Sequence, residues 1–462
     1  MALLVAAIAA VFWPGIPMYD TVSQYDQVLS NELTDWHPPV MVRLWQVLHP
    51  LAAGTVPMFV LQVGLYAAGF ALIVAALVRT GRWQSAIAVA ILAVSPLLIG
   101  WQMVVLKDCQ MLGALVCAFG IVVHYRLSGR PVPVIAGTLV ASLFLYATLV
   151  RANAIFATAP LLVFLVPRPS SLIGRGTVAL AGITAVLLAS PFLDHGLFGA
   201  EPSGVEKTQP IFDLAAIAVA TPGSPSPFTA AERAEITHRH CVKSYFWDPL
   251  GDPSACGPAT ERLQDQSDRA LYIDFARGVE EHPLAYAGHR LRHWNSSERW
   301  LIPPNLQELA PPDEAEPNDL GLKSPASPLM PAWQSIAAAE AGTPLGWPIV
   351  WTLIALLLVP AAWRRRAEAP GGLALALIAS VLTLEASFLV ISIASDFRYH
   401  LWSVAASALA LILLSGDLRL KRPASIAGLV LLVLVIGGGL ITRWTLPAAP
   451  DSYEAMIAAP SG

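Results

Sequence analysis

Charge is what this chain has least of. Of its 462 residues only 13% are Asp, Glu, Lys or Arg, against 55% hydrophobic. Soluble domains carry about 25% charged residues, so a soluble fold of this length would lack polar cover, and a disordered chain would lack more. Four cysteines are too few for a disulfide-built scaffold, and they are not spaced as a zinc site. Positive charge is not in excess either: 28 Lys and Arg against 32 Asp and Glu give a net charge of −4, so no nucleic-acid partner is expected. A P-loop, a GxGxxG between strand and helix, and a GxSxG elbow are all missing. The first apolar run has no basic segment before it and no small-residue cleavage site before Trp13, Pro14 and Gly15. It reads as a retained helix rather than a removed signal peptide.

What the chain does have is apolar runs of membrane length, with a mean hydropathy of +0.59. About eleven runs approach the length that crosses a ~30 Å hydrocarbon core. They cover 2–18, 57–78, 84–106, 109–125, 132–150, 154–167, 176–193, 346–363, 371–394, 400–415 and 425–441. The fold class is therefore an all-α polytopic membrane protein with about eleven transmembrane helices. Arg79 and Arg82, Arg126 and Arg130, Arg168 and Arg175, Arg364, Arg365 and Arg366, and Arg419, Lys421 and Arg422 fall in alternate short loops. The positive-inside rule makes that face cytoplasmic. Trp13, Trp101, Trp347, Trp363, Trp402 and Trp444 stand near span ends, where headgroup anchoring is expected. The chain divides into an N-terminal membrane module (1–193), an extracytoplasmic segment (194–345) and a C-terminal membrane module (346–462).

Residues 194–345 are rich in Pro, Glu, Asp and Arg. Thr229 and Glu232 have capping-box spacing and predict a helix start. The stretch 259–301 predicts two amphipathic helices broken at His282 and Pro283, and the Pro-rich, acidic 302–331 predicts irregular chain. Cys241 and Cys256 either pair, which an oxidising compartment favours and which contributes about 3 kcal/mol, or remain free thiols. Cys109 and Cys117 fall in a membrane run and read as packing residues. His289 and His293 stand at i and i+4, but Arg290 occupies the place of a zincin glutamate, and no metal site is expected there.

The scarce charges gather at one set of span ends. Segment 19–56 carries Asp20, Asp26, Glu32 and Asp35 with no Lys or Arg before Arg43, and runs through Trp36 into His37, Pro38 and Pro39. Such a loop either is simply solvated or presents a carboxylate as general base. Lys107 beside Asp108, Arg151 with Asn153, and Arg398 with Tyr399 and His400 sit where apolar runs end. Singly, each cation fits a snorkelling interfacial anchor. Together they could hold a phosphate while a carboxylate does chemistry. Glu385, about eleven residues before Asp396 on one helix, is expected ~16 Å deeper in the membrane. It is either protonated and hydrogen-bonded in the bundle or part of a proton path.

The order of these elements resembles the GT-C glycosyltransferases. An acidic first outer loop ending in His37, Pro38 and Pro39, a Lys107–Asp108 turn, an Arg151–Asn153 turn and a late Asp396-Phe397-Arg398-Tyr399 turn carry the likeness. It is nearest to bacterial enzymes related to glycosyltransferase family 39, the protein O-mannosyltransferase-like group. The likeness covers 1–193 and, more loosely, 346–441; segment 194–345 corresponds in position only. It implies a GT-C-like fold in a bacterial cytoplasmic membrane and a site that faces outward. It also implies transfer of a sugar, with inversion, from a polyprenyl-phosphate-linked donor to a hydroxyl of a lipid, glycan or protein acceptor. Asp20 would be the base; the family often has two adjacent acidic residues there, and Thr21 follows Asp20 here, so Asp26 is the substitute. Lys107, Asp108, Arg151, Arg398 and Tyr399 would hold the donor phosphate or sugar, and His37, Pro38 and Pro39 would shape the site. No cofactor and no metal is expected, because the donor is a phosphodiester. A transporter or lipid flippase and a surface-polysaccharide polymerase or ligase are the alternatives. The first is disfavoured by the lack of an internal repeat, the second by the early acidic loop.

Overall fold

The computed structural model describes residues 2–166, 171–306, 309–417, 423–450 and 452–459. Arg168, Arg419, Lys421 and Arg422, used above for orientation, lie outside the described residues. An apolar run in hydrocarbon must satisfy its backbone internally, and helices do so segment by segment. Pairing of β type among the described residues is limited to three isolated bridges.

The first half runs α1 (Ala2–Val11), α2 (Tyr19–Ser30), α3 (Val40–Leu48), α4 (Val56–Arg79), α5 (Trp83–Leu92), α6 (Pro96–Gln102), α7 (Lys107–Arg126), α8 (Val134–Leu149), α9 (Ile155–Leu165) and α10 (Leu172–Pro191). The acidic segment expected as a loop is thus largely helical, as α2 and α3. The run 84–106, expected as one span, is bent by 53° between α5 and α6. Pro96 lacks an N–H to continue α5, and Ser95 caps the new helix instead, its side chain accepting from Leu98 N.

Segment 194–345 contributes α11 (Thr208–Ala220), α12 (Ala230–His238), α13 (Gly257–Gln264), α14 (Asp268–Glu281), α15 (Pro283–Ser297) and α16 (Leu329–Gly342). The capping box forms: Thr229 N donates to Glu232 Oε2 at 2.7 Å and Glu232 N to Thr229 Oγ1 at 3.2 Å. The break at His282 and Pro283 separates α14 from α15, and α13 is a further short helix before them. Phe212, Ile236, Leu250, Leu263 and Leu271 build a core of their own, joined by the Cys241–Cys256 disulfide, whose Cα atoms lie 6.2 Å apart. α16 lies over α6, with Leu97 N donating to Glu340 Oε2 at 2.9 Å.

The chain then returns as α17 (Pro348–Arg364), α18 (Ala369–Ser387), α19 (Leu401–Leu414) and α20 (Pro423–Thr445), ending in α21 (Tyr453–Ala458). Among the described residues, six segments are long and apolar enough to cross a membrane: Val56–Arg79, Lys107–Arg126, Leu172–Leu197, Ala369–Ser387, Phe397–Leu414 and Ser425–Thr445. The α5–α6 pair makes seven if counted as one span. The expected count of about eleven is not reproduced by length, because α1, α8, α9 and α17 have 10, 16, 11 and 17 residues.

At the centre stands α7, 89% of whose apolar window is buried, against 6% for Leu172–Leu197. It packs on α4 through glycines. A Cβ on Gly69 would lie 2.5 Å from the Val116 backbone, and one on Gly120 2.5 Å from Gly69 O. Small residues let helix backbones approach this closely inside a membrane. The tryptophans divide. Trp13, Trp363 and Trp444 are exposed, whereas Trp101, Trp347 and Trp402 are fully buried, so these three are core residues rather than headgroup anchors. Trp402 Nε1 donates to Ser380 Oγ at 2.9 Å, as a buried indole N–H requires.

Candidate functional site

Two helix starts meet at one end of the bundle. After α1 the chain turns at Gly15, whose φ of +100° favours glycine, and a Cβ there would lie 2.7 Å from the Phe59 and Val105 side chains. Ile16 then pairs with the chain entering α7: Ile16 N donates to Met103 O and Val105 N to Ile16 O, both at 3.0 Å. Thr21 Oγ1 donates to Val105 O at 2.6 Å and accepts from Met18 N at 2.9 Å. This register sets Asp20, in the first turn of α2, beside Lys107, the first residue of α7.

Asp20 Oδ2 accepts from Lys107 Nζ at 2.8 Å and from Arg398 Nη1 at 2.9 Å. Lys107 Nζ also donates to His37 Nδ1 at 2.7 Å, which assigns the ring proton to Nε2, 3.6 Å from Asp20 Oδ1. Asp20, Lys107, His37 and Arg398 are all buried. Burial pushes the Asp20 carboxyl up, but the charges of Arg398 and Lys107 outweigh it and hold the group well below the ordinary carboxylate value. Burial, then the Lys107 charge, lower His37 to about 3, so its ring is neutral at pH 7.

A second tier lies alongside. Arg398 is gripped from behind by Asp396 Oδ2, 3.0 Å from Nε and 2.9 Å from Nη2. Arg151 is ion-paired to Asp108. Its Nε donates to Asn153 Oδ1 at 2.6 Å, and its guanidinium lies over the Tyr399 ring at 4.0 Å. Three cations and three carboxylates, from four separate stretches of chain, thus share one buried site. Among the described residues, the approach made to Oδ1 of Asp20 is the long one from His37.

The loop that carries Asp396 and Arg398 is held by segment 194–345. Arg290 Nη1 donates to Ser392 O at 2.7 Å, Trp247 N to Ile393 O at 2.8 Å, and Arg299 Nη2 to Ser395 O at 2.8 Å. Ser395 Oγ donates back to Tyr245 O at 2.8 Å. Arg290 is itself fixed by Asp213, Nη2 to Oδ2 at 2.6 Å.

Some sequence candidates stand elsewhere. Asp26 is exposed; six residues beyond Asp20 on one helix is about 240° around the axis. Pro39 is the N-cap of α3, and with Pro38 it brings His37 to the site. Asp35 Oδ1 accepts from Ser203 N at 2.6 Å, away from Lys107. His289 Nε2 lies 3.3 Å from Asp213 Oδ1, and His293 Nδ1 is 2.9 Å from Ser244 O. Among the described residues no three His, Cys, Asp or Glu side chains are grouped to hold a metal ion.

The ~16 Å that a continuous helix would put between Glu385 and Asp396 does not apply, because the helix does not continue. α18 ends at Ser387 and the chain reverses. His400 Nδ1 therefore meets Glu385 Oε2 at 2.7 Å, and its Nε2 lies 3.2 Å from Ser297 Oγ. Glu298, fully buried, hydrogen-bonds Glu385 and accepts from Thr352 Oγ1 at 3.1 Å. Burial first, and Glu385 second, raise the Glu298 carboxyl well above its ordinary value. Sequence reasoning missed Glu298, which has no local signal. It could have found the His37–Lys107 bond only by knowing which helix starts meet.

No known family profile matches the chain, and no curated protein matches it. A solved structure of related shape is the archaeal oligosaccharyltransferase AglB from Archaeoglobus fulgidus, in complex with an inhibitory peptide and a dolichol-phosphate. It is 13% identical with a TM-score of 0.37, over 100% of this chain and 56% of that one. The chain thus spans little more than half the length of that protein, and so faint a likeness fixes neither family nor activity. What fold and site define together is a class: a polytopic helical membrane protein with a buried carboxylate–cation cluster where its helices end.

Proposed function

We propose that the protein is a GT-C-like membrane glycosyltransferase, related to the family 39 group. It moves a sugar from a polyprenyl-phosphate donor to an acceptor hydroxyl on the outer side of a bacterial cytoplasmic membrane. The observation that carries the reading is the meeting of Lys107 and Arg398 on one oxygen of a buried Asp20, with Arg151 and Tyr399 beside them. A lone anchor would snorkel to water; these cations turn inward onto a carboxylate at the edge of an apolar bundle.

The chemistry balances as a single displacement. The acceptor oxygen attacks the anomeric carbon as its proton passes to Asp20, while the bond from that carbon to the phosphate oxygen breaks on the opposite face. Asp20 goes from −1 to neutral and the leaving phosphate gains one negative charge. Lys107 and Arg398, released from Asp20 as it is protonated, turn to that charge, and Arg151 adds a third cation. A donor phosphate that draws these cations away also raises the Asp20 pKa, which makes the carboxylate a better base when donor is bound.

The test is transfer from a radiolabelled polyprenyl-phosphate sugar to a membrane extract by purified protein. Transfer that falls at least ~100-fold in Asp20→Asn, within the range for loss of a general base, supports the reading. No transfer with any donor tried, or full transfer by that variant, overturns it. A reporter fused after Gly204 should appear outside the cell; finding it in the cytoplasm would overturn the orientation.

A further inference from the structure

Gln24 is a fully buried amide, and neither its Nε2 nor its Oε1 has a hydrogen-bond partner among the described residues. Burying such a group unpaired forfeits the hydrogen bonds that water gave it. A position selected for folding alone would hold an apolar side chain instead.

The place of Gln24 on its helix says what the amide faces. On α2, residues 20, 24 and 27 fall on one side of the axis, and residues four apart have their Cβ atoms about 5–6 Å from each other. Both neighbours of Gln24 on that side meet the chain that follows the helix. Asp20 Oδ1 lies 3.6 Å from His37 Nε2, and Gln27 Oε1 accepts from Thr34 N at 3.2 Å. Residues 34–37 therefore run back along this face, and Gln24 stands between the two contacts, one turn from Asp20. The intervening side chains lead elsewhere: Asp35 Oδ1 accepts from Ser203 N at 2.6 Å, and Trp36 is 41% exposed. His37 Nε2, on the same strip, is buried and likewise has no hydrogen bond among the described residues.

The cations meet the other oxygen of the carboxylate. Lys107 Nζ and Arg398 Nη1 both donate to Asp20 Oδ2, which marks the side for a leaving phosphate. In a single displacement the nucleophile enters opposite the leaving group, so the acceptor arrives on the side of Oδ1, His37 and Gln24. Asp20 and His37 each keep 7% of their surface exposed, and an oxygen that reaches Asp20 is within one helical turn of the amide. An amide offers two N–H donors and a carbonyl acceptor and carries no charge. It suits a neutral group that both donates and accepts, as a second hydroxyl on a sugar does.

We propose that Gln24 is an acceptor-binding residue: it hydrogen-bonds a neutral, hydroxylated group beside the attacking oxygen and so holds that oxygen at Asp20. The inference deepens the transfer reaction proposed above and rests on it.

The test compares wild-type protein with Gln24→Met in two measurements. One is transfer from a radiolabelled polyprenyl-phosphate sugar to increasing amounts of membrane extract; the other is thermal unfolding in detergent. The amount of extract that gives half-maximal transfer should rise about 10-fold, the loss expected for one or two neutral hydrogen bonds, while the donor KM stays where it is. The melting temperature should rise, since an unpaired amide gives way to a side chain that needs no partner. Gln27→Met, which strips Thr34 N of its acceptor, should lower it. Half-maximal transfer at the same amount of extract overturns this inference and leaves the reaction standing. So does a raised donor KM, which would put the amide on the sugar or the phosphate. A Gln24→Met protein that melts lower, or does not fold, also overturns it, because the amide would then serve the fold. Wild-type protein that transfers from no donor overturns the reaction, and this inference with it.

Discussion

Arg398 reaches Asp20 across 378 residues of sequence, Nη1 to Oδ2 at 2.9 Å. The two come from opposite halves of the chain, so this one ion pair fastens the last part of the bundle to the first. Lys107 shares the same oxygen at 2.8 Å. Removing one member of such a buried set leaves the others uncompensated, which typically costs about 3–5 kcal/mol.

Asp20→Asn should therefore lower stability by about that amount, and Lys107→Met added to it should recover a large part. The double variant should be more stable than Asp20→Asn alone, because one of the two stranded cations is gone. Thermal unfolding of the three proteins in detergent measures the coupling. Strict additivity would mean that Lys107 and Asp20 do not depend on each other as the geometry requires.

The pH dependence separates His37 from Asp20. The folded pKa of His37 is lowered to about 3, against about 6.5 in the unfolded chain. Below about pH 6.5 the unfolded chain takes up a proton there that the folded chain refuses. Stability then falls by up to about 1.4 kcal/mol per pH unit until about pH 3. The folded pKa of Asp20 is depressed as well, and by charge rather than by burial. Its contribution is complete above about pH 3.9 and is lost as pH falls through the lower folded value. Between about pH 4 and 6.5 only His37 of the two titrates, so His37→Gln should flatten the acid slope of the melting temperature there. An unchanged slope would sink the assignment.

Several of these relationships were legible in the sequence and several were not, for physical reasons. Apolar runs announce helices because hydrocarbon leaves the backbone no other partner, and α4 and α7 match their expected spans within two residues at each end. Lys107, Arg151 and Arg398 stand out as charges where apolar runs end. Length is harder: α1 and α9 are too short to span by themselves, and Pro96 splits a run that hydropathy reads as continuous. Pairing is harder still. Nothing local says that His37 bonds Lys107, or that Asp26 turns away while Asp20 turns in. Those facts depend on the Ile16–Val104 bridge, a contact across 88 residues. Glu298 is hidden for the same reason, since its partners Glu385 and Thr352 come from two other helices.

The α4–α7 contact makes a sharp packing prediction. A Cβ on Gly120 would lie 2.5 Å from Gly69 O, whereas one on Gly137 meets nothing within 4 Å. Gly120→Ala forces two buried helix backbones apart, and overpacking of this kind costs about 1–3 kcal/mol. Gly137→Ala, where a Cβ on α8 has open space, should be neutral or slightly stabilising, since alanine is favoured in a helix by about 1 kcal/mol. Melting temperatures of the two variants compare them directly. A tolerated Gly120→Ala would mean that the helices are not in backbone contact.

Arg290 tests whether segment 194–345 sets the position of Arg398. Its guanidinium bridges Asp213 and the carbonyl of Ser392, four residues before Asp396, and no part of it touches Asp20. Arg290→Met takes the guanidinium from the fully buried Asp213 and leaves it facing His289, at a cost of up to about 3–5 kcal/mol. D213N/R290M removes the stranded charge and should recover much of the stability, yet it still leaves Ser392 without its donor. On the proposed reaction, that double variant should fold but show a raised KM for the lipid donor, because the loop no longer presents Arg398 to the phosphate. A variant that recovers stability and donor KM together would show that Asp213 and Arg290 only hold their own segment together. Cys241→Ala with Cys256→Ala adds an independent check. It loosens the same core by about 3 kcal/mol through a loop of this size, without touching Ser392, and should lower stability while leaving donor KM unchanged in the protein that remains folded.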